Sequence, residues 1–197
     1  FDNVSLKGSI SYAPTENSNL YLSISEGFRS GGFNGFGGPD YDPESMISYE
    51  IGTKTTLLDG RLNAEASIYH SQYQDYQNTV IELGGLDSST QNAGDAEIQG
   101  IEWSTQFHIS ELMSLGFNAN FTDTEFTKLD PGAVSLRVGD PLDNIPKYSY
   151  SINADFDFNW SSSTAGFAHI NFNRQGPSTV TNLTFAPLTL ESSGLNL

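Results

Sequence analysis

Apolar and polar side chains alternate at every second position through much of this sequence. Residues 148–158 read YSYSINADFDF, in which aromatic and aliphatic residues are separated by Ser, Asn or Asp. The same alternation recurs in residues 3–12, 48–58, 60–69, 101–107 and 115–122. A period of two places one set of side chains on each face of a β-strand, so these stretches predict strands with one apolar and one polar face. The sequence therefore predicts an all-β fold.

The connections between the predicted strands alternate between short and long. PTENSN, DG, SEL and NWSSS are short, whereas the segments around 31–45, 80–94, 128–145 and 176–190 are long. This order predicts an antiparallel up-and-down meander of about eight strands, with all the long loops on one side. Transmembrane β-barrels have this asymmetry, because their periplasmic turns are short and their extracellular loops are long.

The two predicted faces differ in chemistry as well as in position. The polar faces carry ionisable residues such as Glu50, Lys54, Glu65 and Asp155, which are costly in a dry core but natural in a water-filled lumen. The other faces carry aliphatic residues in mid-strand and aromatic residues towards the strand ends, as a lipid-facing band with interfacial girdles would. A soluble antiparallel sheet with one solvated face is the alternative interpretation.

Charge and composition exclude several classes of protein. The formal net charge of −16, from 24 acidic and 8 basic residues, disfavours nucleic-acid binding by phosphate neutralisation. The sequence has no cysteine, which excludes disulfides and thiolate metal sites. No apolar run approaches the roughly 18 residues of a membrane helix, and the opening FDNVSLKGSI lacks the basic and apolar regions of an export signal.

Three longer stretches carry a resemblance to a known family. LYLSISEGFRSGGFNG, then PESMISYEIGTKTTLLDGRLNAEASIYHSQYQDYQN, then NAGDAEIQGIEWSTQF closely resemble successive stretches of the barrel of TonB-dependent outer-membrane receptors, over roughly residues 3 to 175. The resemblance implies a barrel of about 22 strands around a plug domain. It also implies a location in the bacterial outer membrane and import of a scarce nutrient such as a ferric siderophore, without enzymatic activity or a cofactor.

The sequence differs from this family by omission. Nothing in it resembles the plug domain or the segment that contacts TonB, and it stops at GLNL, where the family continues through further strands. We therefore expect residues 1–197 to be a fragment of the receptor barrel domain, a partial barrel of about 8–9 strands.

The expected partners are the lipid bilayer, a small-molecule ligand such as a ferric siderophore, and TonB through the missing plug segment. Two other classes of protein stay open. One is a complete small outer-membrane barrel, whose first and last strands would pair. The other is a soluble β-sandwich binding module.

The stretch SEGFRSGGFNGFGGPDYDPES, residues 25–45, is predicted to carry the end of a strand into an extracellular loop. Its glycines permit positive φ angles and close backbone approach. Arg29, Phe33, Asn34 and Phe36 are predicted to contact the ligand, and Arg29 has the charge to pair with an anionic ligand or a lumen carboxylate. The alternative is an aromatic girdle followed by a flexible loop without ligand contacts.

Several other residues have side chains of the types that bind metals or take part in catalysis. Asp40, Asp42 and Glu44 stand at every second position and have oxygens suited to calcium, but they lack the fuller pattern of an EF-hand loop, so no metal site is assigned. The three histidines are scattered without paired spacing. His169 with Asn171 suggests a barrel esterase, yet the sequence identifies no serine partner. We predict no catalytic residues.

Overall fold

The computed structural model describes residues 3–35, 38–81, 88–133, 136–161, 163–182 and 185–196. These residues contain thirteen β-strands: β1 (Lys7–Thr15), β2 (Ser18–Arg29), β3 (Gly32–Phe33), β4 (Asp40–Tyr41), β5 (Glu44–Leu57), β6 (Leu62–Gln74), β7 (Gln77–Ile81), β8 (Ser88–Asn92), β9 (Gly94–Ser110), β10 (Met113–Leu129), β11 (Tyr148–Ser161), β12 (Thr164–Asn182) and β13 (Phe185–Asn196). These described residues contain no helix that is long and apolar enough to cross a membrane.

Nine of the strands form one antiparallel sheet in the order β1-β2-β5-β6-β9-β10-β11-β12-β13. The remaining four form two separate hairpins, β3-β4 and β7-β8. The predicted up-and-down meander is therefore confirmed. In the part of the chain that the structure describes, β1 and β13 are the two edges of the sheet and do not pair with each other, as expected for a partial barrel.

The strand register aligns the apolar positions across the sheet. One line of partners runs through seven strands: Ile10, Leu22, Ile51, Ile68, Ile101, Phe121 and Tyr148. The side chains of this line lie on one face, which we call the outer face, and the residues between them lie on the opposite, inner face. A slip of one residue would move the whole set to the other face, so the shared apolar line fixes the register.

The longest strands extend well beyond the thickness of a bilayer. A transmembrane strand needs about 9–11 tilted residues, whereas β9 and β10 have 17 residues each. Their outer faces are apolar as far as Ile101 and Phe121 and then turn polar, with Gln99 opposite Asp123 and Glu97 opposite Glu125. The excess length therefore lies at the end of the sheet where the long connections are, which we call the extracellular end.

Three of the four predicted long connections are present at this end. The segments around 31–45 and 80–94 contain the β3-β4 and β7-β8 hairpins, and β10 and β11 are joined by an irregular connection within 130–147. The fourth prediction was wrong: β12 continues to Asn182 and β13 begins at Phe185, so most of 176–190 is a paired hairpin. The Ser and Thr residues there read as loop, but Thr and Val also suit a strand once a neighbour pairs with them.

Buried apolar side chains are concentrated at the extracellular end. A cluster of buried residues lies where the β10-β11 connection meets β6, β9 and β10, and comprises Ala93, Ala96, Phe126, Ala133, Leu136 and Leu142. Gly94 is needed here because its φ is +127° and a side chain would collide with the backbone of Lys128 and Leu129. This cluster and the two hairpins are the parts of the fold that position the candidate site.

Candidate functional site

The inner face of the sheet forms a polar groove of about 750 Å³. Two neighbouring rows of polar side chains line it. One row contains Ser67, Glu102, Asn120, Ser149, Gln175 and Ser192, and the other contains Glu65, Ser104, Asn118, Ser151 and Asn173. The predicted polar face is thus confirmed as a continuous concave wall.

Side-chain hydrogen bonds run across this wall from strand to strand. Lys54 Nζ donates to Glu65 Oε2 at 2.8 Å, and the Tyr21 hydroxyl donates to Glu50. Asn118 accepts from Ser104 at 2.8 Å and donates to Ser151 at 3.3 Å. Because these groups bond laterally to one another, they form a continuous polar network across the strands.

Above the wall, Asn34 ties the β3-β4 loop to the β7-β8 hairpin. Its side-chain amide donates to the carbonyls of Pro39 and Thr90, at 2.7 Å each, and its carbonyl accepts from the Thr90 amide at 2.8 Å. One asparagine therefore satisfies three backbone groups in two different extracellular segments.

Gln77 and Asn92 make a second set of bonds between the same two segments. Gln77 donates from its side chain to the carbonyls of Ser30 and Asp42 at 3.0 Å each. Asn92 accepts from the Asp42 amide at 2.7 Å and donates to the Asp42 and Asp75 carbonyls at 3.0 and 2.7 Å.

Glu44, which is 8% exposed, completes this set because it accepts from the Gln77 backbone amide at 2.7 Å. We call Asn34, Glu44, Gln77 and Asn92 the loop clip. Since all four side chains bond to backbone, the loop clip holds the two extracellular segments together as one body.

An aromatic cluster lies beside the loop clip. Tyr76 packs edge-on against Tyr73, with 5.6 Å between ring centroids, and against Phe126, with 5.8 Å. Burial first, and the Glu44 carboxylate second, raise the pKa of Tyr76 to about 12, and the charge of Arg29 opposes this rise. Tyr76 is therefore a neutral phenol at physiological pH, and it lies within electrostatic range of both Arg29 and Glu44.

Residues 136–147 occupy the space above β11. That strand begins at Tyr148, while its neighbours β10 and β12 continue further towards the extracellular end. On one side Phe126 exchanges backbone bonds with Asp140 and Gly139 at 3.0 and 2.9 Å. On the other side Asn144 and Lys147 donate to the carbonyls of Thr179 and Pro177 at 2.8 and 3.0 Å. This segment therefore continues the wall without being a regular strand.

The four residues predicted to contact ligand have different surroundings. Arg29 and Phe33 are exposed, Phe33 by 83%, and Arg29 makes no ion pair with any residue that the structure describes. Asn34 is engaged in the loop clip. Phe36 lies outside the described residues. Arg29, Phe33 and Asn34 all lie at the extracellular end, between the last residue of β2 and the loop after β3, and contact of the four residues with ligand stays a prediction.

The carboxylates of Asp40, Asp42 and Glu44 do not form a group that could hold a metal ion. Among the described residues, no group of three His, Cys, Asp or Glu side chains is placed to hold a metal ion. Glu44 bonds to the Gln77 amide, and Asp42 bonds to Asn92 through its backbone. Glu44 and the Asp42 backbone are therefore engaged with other protein groups.

The described residues around His169 also lack the hydrogen bond between a serine and the imidazole that an esterase needs. His169 Nδ1 lies 2.6 Å from Asp155 Oδ1 on the inner face. Ser114 donates to the same carboxylate at 3.3 Å and not to the imidazole, and none of the described serines bonds to His169. A nucleophile must bond to its base, so this arrangement is part of the polar wall.

Sequence reasoning missed the loop clip. The sequence places Asn34 among the predicted ligand contacts and Glu44 in a spacing suited to calcium, whereas the alternation of apolar and polar residues does not mark Gln77. The only signal was a high density of Asn, Gln and Asp in the extracellular segments, which are the residues that bond to backbone outside regular structure.

An antiparallel sheet with an apolar outer face, a polar inner wall and long extracellular connections defines a segment of a transmembrane β-barrel. The chain belongs to the TonB-dependent receptor family, since residues 1–195 match the family described as TonB dependent receptor-like, beta-barrel. Members of this family are outer-membrane transport receptors, not enzymes. The family assignment and the predicted location in the bacterial outer membrane are therefore confirmed.

Two receptors of known name are similar to this chain over part of their length. The chain is 28% identical over 163 residues to the metal-pseudopaline receptor CntO of Pseudomonas aeruginosa, covering 82% of this chain and 22% of that relative. It is 27% identical over 169 residues to the probable TonB-dependent siderophore receptor PiuA of Acinetobacter baumannii, covering 77% of this chain and 22% of that relative. The chain thus spans about a fifth of the length of these relatives.

Solved structures agree on the fold. The ferric yersiniabactin uptake receptor FyuA from Yersinia pestis superposes with a TM-score of 0.71 at 18% identity, covering 96% of this chain and 29% of that chain. BauA, the ferric preacinetobactin receptor from Acinetobacter baumannii, gives a TM-score of 0.66 at 18% identity, covering 96% of this chain and 28% of that chain. Both comparisons show that the sheet has the fold of part of these β-barrels.

Proposed function

We propose that this chain forms part of the barrel of an outer-membrane receptor that imports a metal–chelator complex, with a ferric siderophore as the simplest ligand. The observation that carries the proposal is the family match over residues 1–195, together with relatives named as metal-pseudopaline and siderophore receptors. Energy for uptake would come through TonB, reached by a plug segment outside these 197 residues.

The proposed ligand surface is the extracellular face of the loop-clip body. It presents Phe33, with 83% of its surface exposed, and the guanidinium of Arg29, which has no ion-pair partner among the described residues. An aromatic ring and a free cation suit an anionic, partly aromatic metal chelate. Phe36 is proposed for the same surface from its sequence position alone.

Asn34 has a separate role in this proposal. Its two polar groups already bond to Pro39 and Thr90, so it supports the surface rather than contacting the ligand. We propose that Asn34 positions the ligand surface and does not contact the ligand directly.

The test uses the full-length receptor in cells that lack other receptors for the same chelate. Uptake of ⁵⁵Fe-labelled siderophores from several chemical classes is measured for the wild type and for Arg29→Ala and Phe33→Ala, with surface abundance measured on the same cells. Each loss should reduce apparent affinity about tenfold, since one desolvated contact is worth on the order of 1–3 kcal/mol.

Matched controls come from the opposite end of the sheet. Arg61→Ala removes an exposed arginine from the short β5-β6 turn, and Trp160→Ala removes an aromatic side chain that is 81% exposed. Both controls should take up iron like the wild type. If the wild type takes up none of the metal chelates in the panel, the proposed function is wrong. If Arg29→Ala and Phe33→Ala keep normal affinity, the proposed ligand surface is wrong.

A further inference from the structure

Asn34 is followed by Gly35, and this is the only Asn-Gly pair in the sequence. In such a pair the backbone nitrogen of glycine can attack the side-chain amide of the preceding asparagine, because glycine has no side chain to obstruct the approach. Gly35 is exposed, so solvent can remove the proton of its amide. The pair therefore has the chemistry of a spontaneous deamidation site, and it lies within the loop clip.

The reaction at Asn34 needs only water as a co-reactant. The Gly35 nitrogen loses its proton to solvent base and forms a bond to Cγ of Asn34, the bond from Cγ to Nδ2 breaks, and ammonia leaves. A water molecule then opens the resulting succinimide ring at either carbonyl, which gives aspartate or isoaspartate. Overall an amide and a water molecule become a carboxylate and an ammonium ion, so neither an oxidant nor a reductant is required.

The closed loop clip holds Asn34 in a position that resists this reaction. Nδ2 donates to the carbonyls of Pro39 and Thr90 at 2.7 Å each, and Oδ1 accepts from the Thr90 amide at 2.8 Å. Because both ends of the side-chain amide are bonded, Cγ can turn towards the Gly35 nitrogen only after these bonds break. The two bonds to Thr90 reach the other extracellular segment, so they break together when the two segments separate.

The product of the reaction does not fit the closed loop clip. Deamidation replaces Nδ2, which donates both bonds to carbonyls, by a carboxylate oxygen that has no proton. The carbonyl oxygens of Pro39 and Thr90 lie 2.7 Å from this position, so two attractive contacts become repulsive. Isoaspartate in addition inserts a methylene group into the backbone. A closed loop clip therefore protects Asn34, and a reacted Asn34 favours separated segments.

We propose that Asn34 is a deamidation site whose rate is set by the loop clip and whose product keeps the loop clip open. Each separation of the two extracellular segments exposes Asn34 to attack by Gly35, and the reaction then replaces a connecting donor by a negative charge. The fraction of reacted Asn34 accordingly records how long the receptor has spent with these segments apart. This inference does not depend on which ligand the receptor imports.

The test measures deamidation of Asn34 in the folded full-length receptor, by peptide mapping and mass spectrometry after incubation at neutral pH. Gln77→Ala is the opening variant, because Gln77 joins the same two segments through the Ser30 and Asp42 carbonyls, at 3.0 Å each. Asn34 should react about tenfold faster in Gln77→Ala than in the wild type, since the loss of two hydrogen bonds raises local opening by about this factor. The receptor unfolded in guanidinium supplies the unprotected rate and should react faster than either.

Two control variants make the result specific. Gln106→Ala removes the same type of side chain from the inner wall, where it donates to Ser114 at 3.1 Å, and should leave the rate at Asn34 unchanged. Gly35→Ala keeps the bonds of Asn34 but places a methyl group beside the attacking nitrogen. A Cβ added at Gly35 meets no atom within 4 Å, so this variant should fold normally and should suppress the reaction in both the folded and the unfolded receptor.

Asn34→Asp supplies the product directly. The Asp42 amide donates to Asn92 at 2.7 Å across the two segments, so its hydrogen–deuterium exchange reports whether the loop clip is closed. This exchange should accelerate about tenfold in Asn34→Asp, because two donated bonds are lost, while amides of β9 and β10 exchange as in the wild type.

Each part of the proposal has a result that would overturn it. Absence of reaction at Asn34 in the unfolded receptor would remove the site itself. Equal rates in the folded and unfolded receptor, or in Gln77→Ala and the wild type, would show that the loop clip does not control the reaction. An unchanged rate in Gly35→Ala would rule out attack by Gly35, and wild-type exchange at Asp42 in Asn34→Asp would rule out the effect of the product.

Discussion

Replacement of Asn34 by alanine is the sharpest test of the loop clip. Asn34 makes three hydrogen bonds to backbone, from its amide to the Pro39 and Thr90 carbonyls and from the Thr90 amide to its carbonyl. Alanine removes all three and leaves the Thr90 amide without its partner. The expected effect is local, because these bonds join two extracellular segments and none of them belongs to the nine-stranded sheet.

The magnitude follows from the number and setting of these bonds. A hydrogen bond contributes about 0.5–1.5 kcal/mol net, and water replaces part of that at a half-exposed site. Three bonds therefore stabilise the closed position of the two segments by about 2 kcal/mol, which corresponds to about a 30-fold increase in local opening when they are lost.

The measurement is hydrogen–deuterium exchange of the full-length receptor, resolved at the Thr90 amide. Exchange at Thr90 should accelerate about 30-fold in Asn34→Ala, while amides of β9 and β10 exchange as in the wild type. Asn118→Ala is the matched control, since it removes two side-chain bonds from the inner wall without touching the loop clip. Unchanged exchange at Thr90 in Asn34→Ala would refute the role of Asn34 as a connection between the two segments.

Three further predictions concern other parts of the structure. Phe126→Ala should cost about 3–5 kcal/mol in the extracellular cluster, seen as new protease cleavage within 136–147, whereas Phe121→Ala on the lipid-facing surface should not produce it. Because the pKa of Tyr76 is raised to about 12, its contribution to the stability of the cluster should be present below pH 10 and lost as the pH rises towards 12; near-UV circular dichroism should detect this loss, and Tyr76→Phe should abolish it. A spin label at Ile152 should contact lipid and one at Asn153 should contact water, and the reverse accessibility would contradict the assigned faces.

The regular part of the fold could be predicted from the sequence because one physical rule controls it. Where a strand separates water from lipid, every second side chain must be apolar, and residues 148–158 keep this rule without a break. The short turns between strands could be recognised from the sequence in the same way. The alternation therefore predicted strand phase, face chemistry and meander order together.

The extracellular segments could not be predicted in the same way, because no periodic solvent boundary acts on them. The sequence predicts a long loop where β12 and β13 form a hairpin, since Ser and Thr residues fit either state until a neighbouring strand pairs with them. The bonds of Asn34 and Asn92 reach residues about 50 positions away, Thr90 at 56 and Asp42 at 50. Sequence spacing contains no signal for contacts at such separations.

The segment 136–147 above β11 has a consequence for how a receptor of this kind can diversify. Where a regular strand forms the wall, a single inserted residue reverses the orientation of every side chain beyond it. Residues 136–147 bond to β10 and β12 through a few backbone groups, so most of their side chains are under no such constraint. Substitutions and small insertions here can reshape the vestibule while the transmembrane strands keep their register. We therefore expect natural variants of this barrel to differ most in length at this point and to conserve the length of β10 up to Phe126.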